Sequence, residues 1–365
     1  MHVKVIICLD GMGPEYIQES ETPNFDAIAE QGYSTTGMAV VPTVTNVNNT
    51  TIVTASYPDK HGITSNYFFD STRNQEVYME SSEFLLTETI FRRLAREGKK
   101  SVLLTAKDKL KTLIQDGAVI AESAEKPSSG LVNRIGAPPD IYTVEVNHWL
   151  LKAAISILSK DLPDLIYVTT TDYVTHTYAP GDEKAQWNLK ELDRLTGQIL
   201  NAFPDIEMVI TADHGMKRKT YGLDLNRILK DAGIKGNAIP IIKDRHVVHH
   251  KNLGGAAYIY LDDVEAQDDV ISLLEGEKGV ETIMPSSIAA AQYYLHPDRI
   301  GQLFILADKN TVFGALPHSR QEVAVRSHGS TYEQEIPIYA YGPGPVSARP
   351  MSNPEVAAWI LDEER

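Results

Sequence analysis

The chain has 365 residues, 42% of them apolar and 23% charged, enough for one large α/β core with a smaller unit beside it. With 49 acidic against 34 basic side chains its net charge is -15, which excludes a broad surface for nucleic acid or anionic lipid, since either needs clustered Lys and Arg. Cys8 is the one cysteine, which leaves no internal disulfide, and no stretch approaches the ~20 apolar residues of a membrane span, so a cytoplasmic chain without membrane or nucleic-acid partners is expected.

Residues 3–9 read as a buried strand that delivers Asp10-Gly11, with no leader expected before it, and residues 23–31 as the helix that follows. An apolar, strand-like run at 38–41 ends at Pro42, and a helix is expected from about Thr45 through Ile52 to Ser56, with Thr45 at its N-cap. There the hydroxyl would lie beside free backbone N–H groups and the positive end of a helix dipole. That position suits a nucleophile attacking an anionic phosphorus centre, although most capping threonines are only caps. Residues 88–97 read as a helix, 101–105 as a strand, 145–158 as a longer helix, 165–169 as a strand, 184–203 as a helix and 208–211 as a strand. Short apolar runs alternating with amphipathic segments predict a three-layer α/β/α core around a largely parallel sheet. From about Lys219 the texture turns Gly-rich and mixed, with segments at 256–261, 264–274, 288–295 and 303–306, before an apolar run returns at 336–341 and meets Gly342-Pro343-Gly344. The simplest account is a core of residues 1–220 and 323–365 with a smaller α+β cap inserted at 221–322.

Three of these strands end in the same chemistry: Asp10 after the first, Asp172 with His176 four residues on, and Asp213-His214. Ligands of open parallel sheets bind beyond the carboxyl ends of the strands, so these groups are expected to converge. Asp172 and His176 face the same way if one helical turn separates them. A single Asp after a strand is usually a turn cap, but three such strands together point to the Asp and His mixture that zinc accepts, and that manganese and iron accept as well. Directly after the strand at 101–105 stand Lys107 and Lys109, one residue apart and able to face one anion in the same cleft. A Lys-rich turn is otherwise solvated surface.

The segments Asp10-Gly11-Met12, Pro42-Thr43-Val44-Thr45, Thr51-Ile52-Val53-Thr54, Asp59-Lys60-His61-Gly62-Ile63, Asp172 to His176, Ala212-Asp213-His214-Gly215-Met216 and Ser327-His328-Gly329 resemble the alkaline phosphatase superfamily. Within it they are similar to the nucleotide pyrophosphatase/phosphodiesterase branch. The resemblance implies Thr45 as nucleophile and two zinc ions, one held by Asp10, Asp213, His214 and the Thr45 oxygen, the other by Asp172, His176 and His328. Asn66 matches the asparagine that binds a non-bridging phosphoryl oxygen. On spacing alone Thr43 rivals Thr45; the match to the helix start and to Asn66 favours Thr45. The implied chemistry is in-line attack on phosphorus and then hydrolysis of the phosphothreonine.

The segment from Thr105 to Leu110 further resembles that of the phosphonoacetate hydrolases, as do Asn66-Tyr67-Phe68 and Val247-Val248-His249-His250. In that family a Lys pair binds the substrate's carboxylate, and members are often homodimers. The resemblance implies a small-molecule phosphonate as substrate and cleavage of the carbon-phosphorus bond of phosphonoacetate to acetate and phosphate. Cations on the carboxylate would stabilise the enolate that such cleavage expels. The alternative on the same core is a phosphodiesterase or nucleotide pyrophosphatase, with Tyr67, Phe68 and Phe69 as an aromatic slot for a base. A metal-stabilised binding protein without turnover is the remaining class. His249 and His250, beside His246, would line the cleft from the cap; His61 would orient the turn leading to Asn66, and Cys8 would fill the core.

Overall fold

The apolar run that opens the chain forms the strand Lys4–Cys8, whose residues from Val5 onward are buried. It pairs in parallel with Leu165–Thr169 on one side and Glu207–Thr211 on the other, and all three read as continuous apolar runs because helices cover both of their faces. The computed structural model of the protein describes residues 3–245, 250–342 and 350–361, so His246, Val247, Val248, His249, Pro343 and Gly344 lie outside the described residues. Ser101–Thr105 and Ile120–Ser123 extend the parallel array beyond Leu165–Thr169. On the far side Glu335–Tyr341 lies between Glu207–Thr211 and Tyr33–Met38, antiparallel to both, and completes a seven-stranded sheet. Pro23–Gln31, Glu145–Asp161 and Glu183–Ala202 pack together as one helical layer, and Thr45–Thr54, Ile90–Arg96 and Asn353–Ile360 as the other. This is the three-layer α/β/α architecture that the sequence predicts.

A second, antiparallel sheet has the order Gly236–Pro240, Ala256–Leu261, Leu303–Ala307, Val280–Pro285. Period-two alternation turns Tyr258, Phe304 and Leu306 toward the main core and Ala257, Ile259, Leu303 and Ile305 into a separate apolar cluster with Leu225, Val270 and Phe313. A three-stranded sheet links the two parts: Lys217–Leu223 leaves the core strand Glu207–Thr211, and Arg320–Ser327 pairs with it on the way back to His328. Among the described residues no helix is long and apolar enough to cross a membrane.

Two expectations at the front of the sheet need correction. The apolar run at 38–41 is not a strand; the strand is Tyr33–Met38, and the Val40 N–H donates to Asn48 Oδ1 while its C=O accepts from Asn48 Nδ2, so Val40 needs no neighbouring strand. Thr45 is not the N-cap but the first residue of the helix Thr45–Thr54, because Val44 keeps an extended backbone (φ -132°, ψ 142°) and makes the cap. The Thr45 hydroxyl is thereby relieved of capping and faces the carboxyl ends of the strands.

Candidate active site

The strand Lys4–Cys8 sits where the chain's connections diverge to opposite sides of the sheet, the crevice in which open α/β sheets bind ligands. Asp10 follows this strand, Asp172 follows one neighbour, Asp213 and His214 follow the other, and Lys107 follows the next strand out. Their convergence depends on Gly11. Its φ is +71°, its N–H donates to Asp213 Oδ1 at 3.0 Å, and a Cβ there would stand 2.5 Å from Thr175 Oγ1 and 3.2 Å from Asp172 Cβ.

Asp10, Asp213 and His214 bring one ligand atom each to within 4.8 Å of one another, and so do Asp172, His214 and His328. Thr45 Oγ1 lies 3.4 Å from Asp10 Oδ1 and 3.3 Å from His214 Nε2. Asp172 Oδ2 is 3.2 Å from His176 Nε2, one helical turn on, and 3.8 Å from His328 Nε2. His214 thus stands between the two groups, its ring stacked on that of His328 with centroids 3.8 Å apart.

Each histidine is held in one tautomer. His176 Nδ1 meets the carbonyl of Arg326 at 2.7 Å, His214 Nδ1 that of Gly215 at 2.9 Å, and His328 Nδ1 that of Thr43 at 2.6 Å. Carbonyl oxygens only accept, so Nδ1 carries the proton in all three rings and Nε2 turns a lone pair toward the carboxylates. Burial pushes the His328 pKa well below its ordinary value, and His214 and His176 add to the effect, which keeps that imidazole neutral as a metal ligand must be. Burial also pushes the Asp10 carboxyl well above its usual range, with Asp172 and Asp213 pushing the same way and Lys107 opposing them. Buried carboxylates that repel one another among imidazole lone pairs form a donor set that fits divalent cations.

Thr45, Asn66, Lys107, Lys109, His250 and His328 line one cavity, so the nucleophile candidate and both lysines share a space. Asn66 Oδ1 is buried there without a hydrogen-bond partner among the described residues. Tyr67, Phe68 and Phe69 are engaged elsewhere. Tyr67 donates to Glu76 at 2.7 Å, Phe68 packs against Phe84 and Phe69 against Tyr260, so no aromatic slot forms from them. His250 reaches the cavity as expected, whereas His249 lies outside the described residues. His61 accepts from the N–H of Ile63 at 3.1 Å and meets Thr51 Oγ1 at 3.0 Å, which ties the turn before Asn66 to the helix that begins at Thr45.

Residues 4–331 match the family model described as type I phosphodiesterase / nucleotide pyrophosphatase. The chain is a member of this family. Among solved structures, phosphonoacetate hydrolase from Sinorhizobium meliloti 1021 in complex with phosphonoacetate is 29% identical with a TM-score of 0.91, and its complex with phosphonoformate is 30% identical with a TM-score of 0.89. Each alignment covers 99% of this chain and 95% of that one. The venom phosphodiesterase of Naja atra is 26% identical over 227 residues, which are 58% of this chain and 26% of that protein, so the chain spans about a quarter of the length of this curated relative.

This phosphodiesterase-family site rests on supports that sequence reading passed over. Asp213 Oδ2 accepts from Asn49 at 3.1 Å, and Asn49 in turn accepts from the Tyr167 hydroxyl at 2.7 Å, which explains a polar helix with every residue buried. Thr43, the rival hydroxyl, donates to the Ser330 carbonyl and accepts from the Gly329 N–H, each at 2.8 Å, and so fastens the loop that carries His328. Behind that loop Glu333 accepts from Ser330 N and Oγ and pairs with Lys219 at 2.8 Å, both partners with fully buried side chains. Removing one member of a buried pair strands the other charge. Lys219→Met is therefore expected to lower unfolding stability by about 3–5 kcal/mol in urea titrations, with Lys60→Met, 73% exposed, as the near-silent control. Asp244, in contact with Lys109, also went unread, because nothing in Lys243-Asp244-Arg245 marks its middle residue as one that turns into the cavity.

Proposed function

We propose that the protein hydrolyses phosphonoacetate to acetate and phosphate through a phosphothreonine at Thr45. The observation that carries this reading is the shared cavity, in which Lys107 and Lys109 stand with Thr45 and Asn66. Asp10, Asp213 and His214 would hold one divalent ion and Asp172, His176 and His328 a second, zinc being the metal such ligands suit. When bound, the ions would supply positive charge that lowers the pKa of the Thr45 hydroxyl and offsets charge on the phosphoryl oxygens.

The chain's own residues account for the rest. Thr45 Oγ1, at the first turn of a ten-residue helix, attacks phosphorus in line, with the N–H groups of that turn beside it. The side chain of Asn66 binds an equatorial phosphoryl oxygen. As the bond from Oγ1 to phosphorus forms, Oγ1 gives up its proton to solvent, the bond from carbon to phosphorus breaks, and its electron pair spreads into the adjacent carboxylate as an enediolate. Lys107 and Lys109 offset that charge, a proton is taken up at carbon, and acetate leaves. Water then hydrolyses the phosphothreonine. On the same reading residues 221–322 form a cap inserted into a core of 1–220 and 323–365, and supply Asp244 and His250 to the pocket.

Family membership alone would also suit a phosphodiesterase, so the test compares the two. Zinc-reconstituted protein is expected to release phosphate from phosphonoacetate with kcat/KM about ten-fold or more above that for a nitrophenyl phosphodiester, since charge-assisted contacts are worth about 1.5–3 kcal/mol. A chelator should abolish both activities and added zinc restore them. Preference for the diester would overturn the proposed substrate and leave the metal reading intact.

A further inference from the structure

We propose that Asp244 sets the charge accepted by the Lys107 and Lys109 pocket, admitting a monoanionic group beside the phosphonate and rejecting a dianionic one. The inference rests on reading that pocket as the carboxylate site, and it adds the residue that limits what the pocket takes.

The Asp244 side chain is only 13% exposed and touches the Lys109 ammonium. Its backbone N–H donates to Asn252 Oδ1 at 2.9 Å and its carbonyl accepts from Asn252 Nδ2 at 3.3 Å, which ties Asp244 to Asn252. The Asn252 N–H donates to His250 Nδ1 at 3.0 Å, so the neutral His250 ring carries its proton on Nε2, 3.8 Å from Asp244 Oδ2. Burial works to raise the Asp244 carboxyl, but His250, Lys109 and Lys107 outweigh it and hold the group well below the usual carboxylate range. Burial lowers the His250 pKa, which keeps that ring neutral.

The charges can then be counted among the described residues. Lys107 and Lys109 contribute two positive charges and Asp244 one negative. At the rim Lys111 and Lys126, 2.6 and 2.7 Å from Asp108, are matched by Asp108 and Glu125 together, and Arg245 by Glu80. Asp172, which Lys107 Nζ meets at 2.9 Å, belongs to the metal donors. The remainder is one positive charge, enough for one carboxylate. Two unopposed lysines would instead suit a second phosphoryl group, the leaving side of a pyrophosphate. A repulsive element of this kind separates two anions that a purely attractive pocket would rank by charge alone.

The test is calorimetric binding at fixed free zinc to the zinc-loaded full chain carrying Thr45→Ala, which on the proposed reaction cannot turn the ligand over, with phosphonoacetamide, phosphonoacetate and methylenediphosphonate, whose second groups are neutral, monoanionic and dianionic. With Asp244 in place, affinity is expected to peak at phosphonoacetate. With Asp244→Asn added, the ratio should move toward the bisphosphonate by roughly ten- to hundred-fold, the effect of one like charge a few ångströms away. Asp244→Glu should keep the original order. Affinity that rises steadily with charge while Asp244 is in place overturns the proposal. A folded Asp244→Asn protein with an unchanged ratio overturns it too. A peak at phosphonoacetate, when the protein with Thr45 intact releases no phosphate, would retire the proposed reaction and leave the charge limit standing.

Discussion

Thr45→Ala is expected to lower phosphate release from phosphonoacetate on the order of ten-thousand-fold or more, because the proposed covalent route would disappear with its nucleophile. The fold has little reason to suffer. Val44 makes the cap, and among the described residues the Thr45 side chain faces Asp10 and His214 rather than a backbone carbonyl. Metal content and the thermal midpoint should therefore stay near wild type, and Thr45→Ser should recover part of the rate. Acid quenching of the wild type with phosphorus-labelled substrate should trap label on protein, and Thr45→Ala should trap none. Label that persists in Thr45→Ala would sink the assignment. Thr43 is a poor substitute, since its oxygen already donates to Ser330 and accepts from Gly329. Thr43→Val should act through the loop of His328, lowering metal affinity before it lowers the rate of chemistry.

The fold was legible wherever a strand is buried on both faces. Residues 101–105 and 165–169 were read to the residue, because a strand covered by helices is a short apolar run with abrupt polar ends. Those polar ends were legible for the same reason, and they carry Asp10, Asp172 and Asp213. What failed locally failed where side chains replace regular backbone pairing. At 38–41 the apolar run satisfies Ala39 through Gln334 and Val40 through Asn48, and at 44–45 the cap is a valine with no capping side chain. The helix Thr45–Thr54 has no apolar stripe at all, since Asn48, Asn49 and Thr51 spend their polar groups on backbone and on Asp213. Contacts between distant segments were beyond reach. Lys219 meets Glu333 across 114 positions and Lys109 meets Asp244 across 135, and neither acid carries a local pattern that announces its partner.

The lysine pair is where a phosphonate hydrolase and a diesterase on the same scaffold must part. Lys107→Ala together with Lys109→Ala is expected to depress phosphonoacetate turnover by about a hundred- to thousand-fold more than turnover of a nitrophenyl phosphodiester, whose leaving group brings no carboxylate. The loss should fall on kcat as well as KM. The carboxylate holds one charge in the bound substrate and shares a second as the carbon-phosphorus bond breaks, so the ammonium groups bind the transition state more tightly than the ground state. The two positions are not equivalent. Lys107 Nζ donates to Asp172 Oδ1 at 2.9 Å, so its removal also alters the charge around the metal donors and should change metal affinity. Lys109 contacts Asp244 instead, so Lys109→Ala spares the metal donors but leaves Asp244 unopposed, and Lys109→Ala with Asp244→Asn isolates the carboxylate contact. An equal fall in both activities for Lys109→Ala would mean that the lysine supports the site as a whole. A change in KM alone would mean that it holds the carboxylate without stabilising the departing carbon, and the charge of the enediolate would then have to be met from the metal side of the cavity.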